Sequence, residues 1–182
     1  PPNEDPHAKT DPRTAALLRV LRLRTPPLCV VYGSTTGVYG DCQSAWVDET
    51  RRVKPATPRA YRRVHAEAQL RWFGRSAHVA VHVLRIPGIY APDREGGTPR
   101  GRLLKGMPVL STLDDVYTNH IHADDLARAC VAAMRKGKPQ RVTNISDDTD
   151  LKMGDYFDLA ADLYSLERPP RMSRIDAKAQ LP

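Results

Sequence analysis

Three small groups of residues carry side chains able to do chemistry. The first is Gly33-Ser34-Thr35-Thr36, a run of hydroxyls that follows the apolar stretch beginning at Leu28. Hydroxyls in such a place either face a ligand or bond their own turn, and both readings stand at this point. The second is Tyr61-Arg-Arg-Val-His65, whose spacing puts a phenol and an imidazole on one face of a helix. The third is His120-x-His122 with Asp124 close behind, side chains that are common metal ligands. No further strong ligand cluster accompanies it, so no metal site is expected, and His122 with Asp124 and Asp125 is read as tying down the start of a helix.

These groups need elements to position them. Asp11 before Pro12 is an N-cap with proline at the first helical position, and Ala15, Leu17, Leu18 and Leu21 continue at helical spacing to about Arg24. Leu28 to Gly33 reads as a buried strand, followed by a loop to Thr57 long enough to suggest function. Pro58 to about Phe73 reads as a helix, and Val79 to Ile86 as the clearest strand, broken by Pro87-Gly88. Asp124 to Met134 is an alanine-rich helix with acids in its first turn. Arg141 to Ser146 reads as a short strand, Met153 to Leu166 as a helix, and the remaining carboxy-terminal residues as a loop. Helix and strand alternating in this order predict an α/β fold with a mainly parallel sheet, in which chemistry collects at the carboxyl ends of strands. Two such ends stand out: Ser34-Thr35 and Pro87-Gly88-Ile89-Tyr90.

Composition bounds what these elements can belong to. The 182 residues are 41% hydrophobic and 27% charged, a globular composition without the roughly 18-residue apolar run of a membrane span. Lys and Arg number 28 against 21 acids, a net charge of +7 that brings nucleic acid into view as a partner. The arginines are scattered along presumptive helices without base-stacking aromatics, so solvated helix faces are the preferred reading. Cys29, Cys42 and Cys130 form no CxxC pair; Cys29 and Cys130 read as small buried hydrophobes, and their use fits a cytoplasmic protein. The chain begins at Pro1 without a signal peptide, which suggests a piece of a longer protein.

Four segments in order bring a family into view. LCVVYGSTTGVYGD with the following VDE resembles the strand, Ser/Thr turn and VYG signature of the NAD-dependent epimerase/dehydratase group, the extended short-chain dehydrogenases/reductases. LRIPGIYAP resembles that family's strand and cofactor-facing loop, HIHADDLARA its histidine, acidic pair and helix, and NISDD its next strand. The resemblance implies the second half of a Rossmann-type doubly wound sheet with part of a small substrate lobe, the lobe falling at about 92–122 and 147–182. No G-x-x-G-x-x-G occurs, so the glycine-rich turn that faces the pyrophosphate, and with it the first βαβαβ half, is expected upstream of Pro1.

The resemblance also distributes roles. It implies NAD or NADP as cofactor and a small hydroxyl or carbonyl substrate, such as a nucleotide sugar, transformed by hydride transfer. Ser34, Thr35, Pro87, Gly88 and Ile89 would face the cofactor, and Thr35 would hold the reacting oxygen. Tyr61 is the candidate acid/base, although His65 stands where the family has lysine, and a neutral imidazole with a pKa of about 6.5 does little to hold a phenolate. If the family's downstream glutamate is matched to Glu67 instead, the tyrosine and lysine positions fall on Arg59 and Arg63, as in atypical members without the catalytic tyrosine. The functions implied are therefore an oxidoreductase whose intact form allows a homodimer, a non-catalytic dinucleotide-binding sensor or scaffold, and, from charge alone, a nucleic-acid binder.

Overall fold

The computed structural model describes residues 5, 7–94 and 96–180. Pro1–Glu4 and Leu181–Pro182, the two ends of the chain, lie outside the described residues. The rest divides into two compact units, one comprising residues up to Pro87 with Asp124–Ser146, the other Gly88–Ala123 with the residues from Asp147 onward.

The first unit is built on a parallel sheet of three strands, β1 (Cys29–Thr35), β2 (Ala80–Ile86) and β6 (Arg141–Asn144), in the order β1-β2-β6. β2 is the central strand, with Val81 to Arg85 all buried, which is why its sequence is apolar at nearly every position. Helix α1 (Pro12–Arg22) starts where Asp11 accepts hydrogen bonds from the amides of Arg13 and Thr14. Helix α2 (Pro58–Ala77) is capped by Thr57 and ends at His78 in the left-handed conformation, one turn later than its periodicity predicts. Leu18 of α1 and Leu70 and Phe73 of α2 pack with Val79, Val81 and Val83, forming the core of this unit. His82 and Leu84 point to the opposite side of the sheet, where a Cβ added at Gly137, just after α4 (Ala123–Lys136), would meet the His82 ring.

The second unit pairs β3 (Gly88–Tyr90) with β5 (His120–His122), and β4 (Val109–Leu110) with β7 (Arg171–Met172), both in parallel. Its core is Leu103 of α3 (Arg100–Leu104), Val109, and Phe157, Ala160 and Ala161 of α5 (Met153–Leu163). The carboxy-terminal loop expected from the sequence is instead β7 followed by α6 (Arg174–Gln180). A two-residue strand and a two-turn helix carry too few residues for periodicity to register. The buried face of α5 is Gly154, Phe157, Ala160 and Ala161, while Leu159 and Leu163 face solvent. Cys29 and Cys130 are partly buried free thiols and belong to neither core.

The long segment after β1 is anchored early. Thr36–Tyr39 form a 3-10 turn with Val38 and Tyr39 buried, and the amide of Lys54 returns to donate to the Val38 carbonyl at 3.0 Å. Gly40 sits at φ +71°, where a Cβ would fall 2.3 Å from the Lys54 carbonyl oxygen. Both the backbone conformation and the close approach demand glycine. Gly40→Ala is expected to cost about 2 kcal/mol or more, read as a lowered urea midpoint at unchanged slope; an unchanged midpoint would show that the loop is not fixed at this point.

Candidate active site

The parallel register places Ser34, Arg85 and Asn144 side by side, one from each strand of the first unit. All three point toward α2, because alternate strand residues face alternate sides and Val81 and Val83 on that side meet the α2 core. An arginine within an apolar strand signals a buried partner, since an unpaired charge there is prohibitively desolvated. Glu67 is that partner: Arg85 Nη2 donates to its Oε2 at 2.7 Å and Nε to its Oε1 at 3.2 Å, and both residues are 5% exposed. Ser34 Oγ donates to the same carboxylate, at 2.5 Å from Oε1. Burial acts to lower the Arg85 pKa, but the bonds to Glu67 and Tyr39 and the Glu67 charge outweigh it and hold it above its ordinary value.

The network continues outward. The Arg85 guanidinium lies 4.7 Å from the centre of the Tyr39 ring, and the Tyr39 hydroxyl donates to Asn144 Oδ1 at 2.8 Å. Asn144 in turn holds the loop, its amide donating to Glu49 Oε1 at 2.8 Å and its Nδ2 to the Val47 carbonyl at 3.2 Å. Residues from all three strands, α2, the 3-10 turn and the loop beyond it thus converge on one buried polar cluster at the strand ends. Of these, Arg85 and Asn144 as site-forming residues were not singled out from sequence. The charge inside LRIP was the available signal.

Thr35 extends past this cluster on the other side of β1. Its Oγ1 accepts from the Gly37 amide at 3.2 Å, which leaves the hydroxyl proton free to donate. Ser34, by contrast, is 6% exposed and committed to Glu67, so it positions the strand end and has no free proton to offer a ligand. Pro87 closes the first unit. In the second unit Gly88 and Ile89 form β3, with the Gly88 amide donating to Asn119 O at 3.2 Å and the Ile89 carbonyl accepting from Arg94 at 2.8 Å. A Cβ at Gly88 would come 2.9 Å from His120 Cδ2, so the missing side chain admits the imidazole. His120 stacks on Tyr156 at 4.3 Å, and burial pushes its pKa below the ordinary imidazole range. Among the described residues no group of three potential ligands could hold a metal, and none of the helices is long and apolar enough to cross a membrane.

Tyr61 and His65 share a helix face, as their spacing predicts, but it is not the face that meets the sheet. Tyr61 lies about 160° around the helix from Arg63 and about 120° from Glu67, is partly solvent-exposed, and has the Lys9 ammonium 4.7 Å from its ring centre. His65 Nδ1 accepts from the Asp11 amide at 3.0 Å, so the imidazole fastens α2 to the start of α1. Arg63, one turn before Glu67, reaches the sheet and donates to the Tyr32 hydroxyl at 3.0 Å.

These strand ends can be set beside known proteins. Residues 12–146 match the NAD dependent epimerase/dehydratase family. The chain belongs to that family. No curated protein matches it significantly. Among solved structures, a functionally unknown conserved protein from Silicibacter pomeroyi is 34% identical with a TM-score of 0.80, covering 99% of this chain and 61% of that one. RMD from Pseudomonas aeruginosa, complexed with NADPH, is 20% identical with a TM-score of 0.74 and coverages of 87% and 58%. UDP-glucuronic acid 4-epimerase from Bacillus cereus, in complex with NAD, has the same identity and TM-score, with coverages of 87% and 53%. The last two show the α/β family fold. The chain thus spans between about half and three fifths of the length of these relatives. For the family's dinucleotide the residues present offer at most part of a site: Thr35 keeps a hydroxyl proton at the β1 end, but the sequence supplies no glycine-rich turn for the phosphates.

The buried pair sets the stability of this family site. Removing one partner, as in Glu67→Gln or Arg85→Met, is expected to cost about 3–5 kcal/mol. Denaturant unfolding should show the Glu67→Gln/Arg85→Met double variant losing at least about 1 kcal/mol less than the sum of these two single variants. Additive losses would mean that the two charges do not act as a pair.

Proposed function

We propose that the whole protein is an NAD- or NADP-dependent oxidoreductase that transforms a hydroxyl or carbonyl of a nucleotide-sugar-like small molecule. The observation that carries this reading is the polar cluster of Ser34, Arg85, Asn144 and Glu67, which holds the β1 end rigid while leaving Thr35 with a hydroxyl proton to donate. Thr35 binds the substrate oxygen and orients it. Ser34 and Glu67 fix the strand from behind, and Tyr39 and Asn144 keep the following loop in place. Pro87, Gly88 and Ile89 would face the reacting end of the dinucleotide, which when bound supplies hydride chemistry. Residues of the second unit, about 92–122 and 147–182, serve as the substrate lobe.

A second reading, dinucleotide binding without turnover as in a sensor or scaffold, is favoured by the outward position of Tyr61. With Glu67 taken as the family's downstream glutamate, Arg59 and Arg63 occupy the tyrosine and lysine positions, and a guanidinium is not an acid/base catalyst in place of a phenol.

The two readings separate in the full-length protein. Thr35→Ala is expected to lower kcat/KM by about 10- to 100-fold with dinucleotide affinity unchanged, while Tyr61→Phe stays within about twofold of the parent. A loss of about 100-fold in Tyr61→Phe would make Tyr61 the acid/base, and dinucleotide binding with no turnover on any nucleotide sugar would establish the second reading. The 182-residue chain by itself is expected to show no dinucleotide binding in calorimetry. Micromolar binding would overturn the assignment of cofactor affinity to a glycine-rich turn outside this sequence.

A further inference from the structure

Charge in the segment that leads into α2 is one-sided. Between Glu49 and Glu67 the chain carries Arg51, Arg52, Lys54, Arg59, Arg62 and Arg63 and no carboxylate. The two flanking glutamates are already engaged, Glu49 with the Asn144 amide and Glu67 with Arg85 and Ser34. Four arginines of α4 and the carboxy-terminal part do have acidic partners: Arg128 with Asp125, Arg168 with Asp162, Arg171 with Asp158 and Arg174 with Asp114.

Within this cationic stretch two arginines are placed for recognition. Arg59, Arg63 and Glu67 follow one another at four-residue spacing, so they lie along one face of α2 on successive turns. Glu67 fixes that face toward the sheet at the level of Ser34. Arg63 reaches the sheet one turn earlier, where among the described residues it bonds a neutral oxygen, the Tyr32 hydroxyl, with its guanidinium 5.7 Å from the ring centre. Arg59 lies about 12 Å along the helix axis from Glu67, beyond the strand end. There the first turns of α2 bury Ala60 and pack against the 3-10 turn that follows Thr35. Arg59 is exposed, and no carboxylate pairs with it among the described residues. Guanidinium groups bind carboxylate and phosphate through paired N–H donors, which a lysine or tyrosine in the same places does not reproduce.

We propose that Arg59 and Arg63 form an oxyanion site at the β1 end, and that the small molecule acted on beside Thr35 carries a carboxylate or phosphate that this pair holds. Assigning the anion to the substrate rests on the function proposed above; the site itself does not, because it requires neither dinucleotide nor turnover, and the two fail separately.

The test is an NMR titration of the 182-residue chain at constant ionic strength, following the arginine Nε–Hε signals, with inorganic phosphate and malonate as probes and chloride as the balancing ion. The Arg59 and Arg63 signals are expected to move together and saturate in the millimolar range for at least one probe. The stronger of the two identifies the anion as phosphate or carboxylate. Arg59→Gln, a change at an exposed position that leaves the amide spectrum of the core unaltered, should weaken binding by at least about tenfold. Arg135→Gln, which removes the same charge from α4, should leave binding unchanged. Shifts that never saturate, or equal weakening by the two substitutions, would overturn the proposal and return these residues to a solvated cationic surface. So would retention of a DNA oligonucleotide that falls steeply with salt and survives Arg59→Gln, which would assign the charge to a nucleic acid.

Discussion

The fold of the first unit turns on one buried ion pair. Arg85 lies on the central strand and Glu67 on the helix above it, and each would cost several kcal/mol to desolvate alone. The paired geometry, with Ser34 donating to the same carboxylate and Tyr39 under the guanidinium, is what makes the burial tolerable. That requirement has geometric consequences. It fixes the phase of α2 against the sheet and the level of α2 along β1. Through Tyr39 and Asn144 it also fixes the path of the loop that returns with Glu49. A purely apolar interface would permit sliding and rotation that this network forbids.

Legibility from sequence followed the same division between local and long-range causes. Asp11-Pro12 and Thr57-Pro58 announce helix starts because capping is a local hydrogen-bonding problem, and both helices begin there. Val79 to Ile86 announces a buried strand because it is apolar on both faces, and the strand spans Ala80–Ile86. Helix ends were read less well: α2 continues to Ala77 because His78 takes a left-handed cap that no glycine advertises. The pairings β3 with β5 and β4 with β7 join segments 30 or more residues apart through two or three residues each, which no short window contains.

The candidate site was legible as a location and only partly as a set of contacts. The strand-end rule pointed to Ser34 and Thr35, and the structure separates them: adjacent strand residues face opposite ways, so Ser34 goes inward to Glu67 while Thr35 caps Gly37. The same rule pointed to Pro87-Gly88-Ile89, where the division into two units falls between Pro87 and Gly88. The partnership of Glu67 with Arg85 spans 18 residues and two elements, so it emerges only when helix and strand are packed.

The position of Tyr61 follows from that partnership and not from a choice of alignment. Bringing Tyr61 to the sheet would require α2 to turn by roughly 120–160° about its axis. Such a turn would carry Leu70 and Phe73, 2% and 0% exposed, out of the core, at about 1.5–3 kcal/mol each, and would leave Arg85 buried without its counter-ion. These losses together approach the whole stability of an ordinary domain. The helix is therefore locked in the phase that presents Arg59, Arg63 and Glu67, with Tyr61 turned toward Lys9 and His65 toward the start of α1. If Thr35 holds a reacting oxygen as proposed, the sheet-side turns of α2 would offer that chemistry guanidinium groups, which bind anions and hold their protons, in place of a phenol.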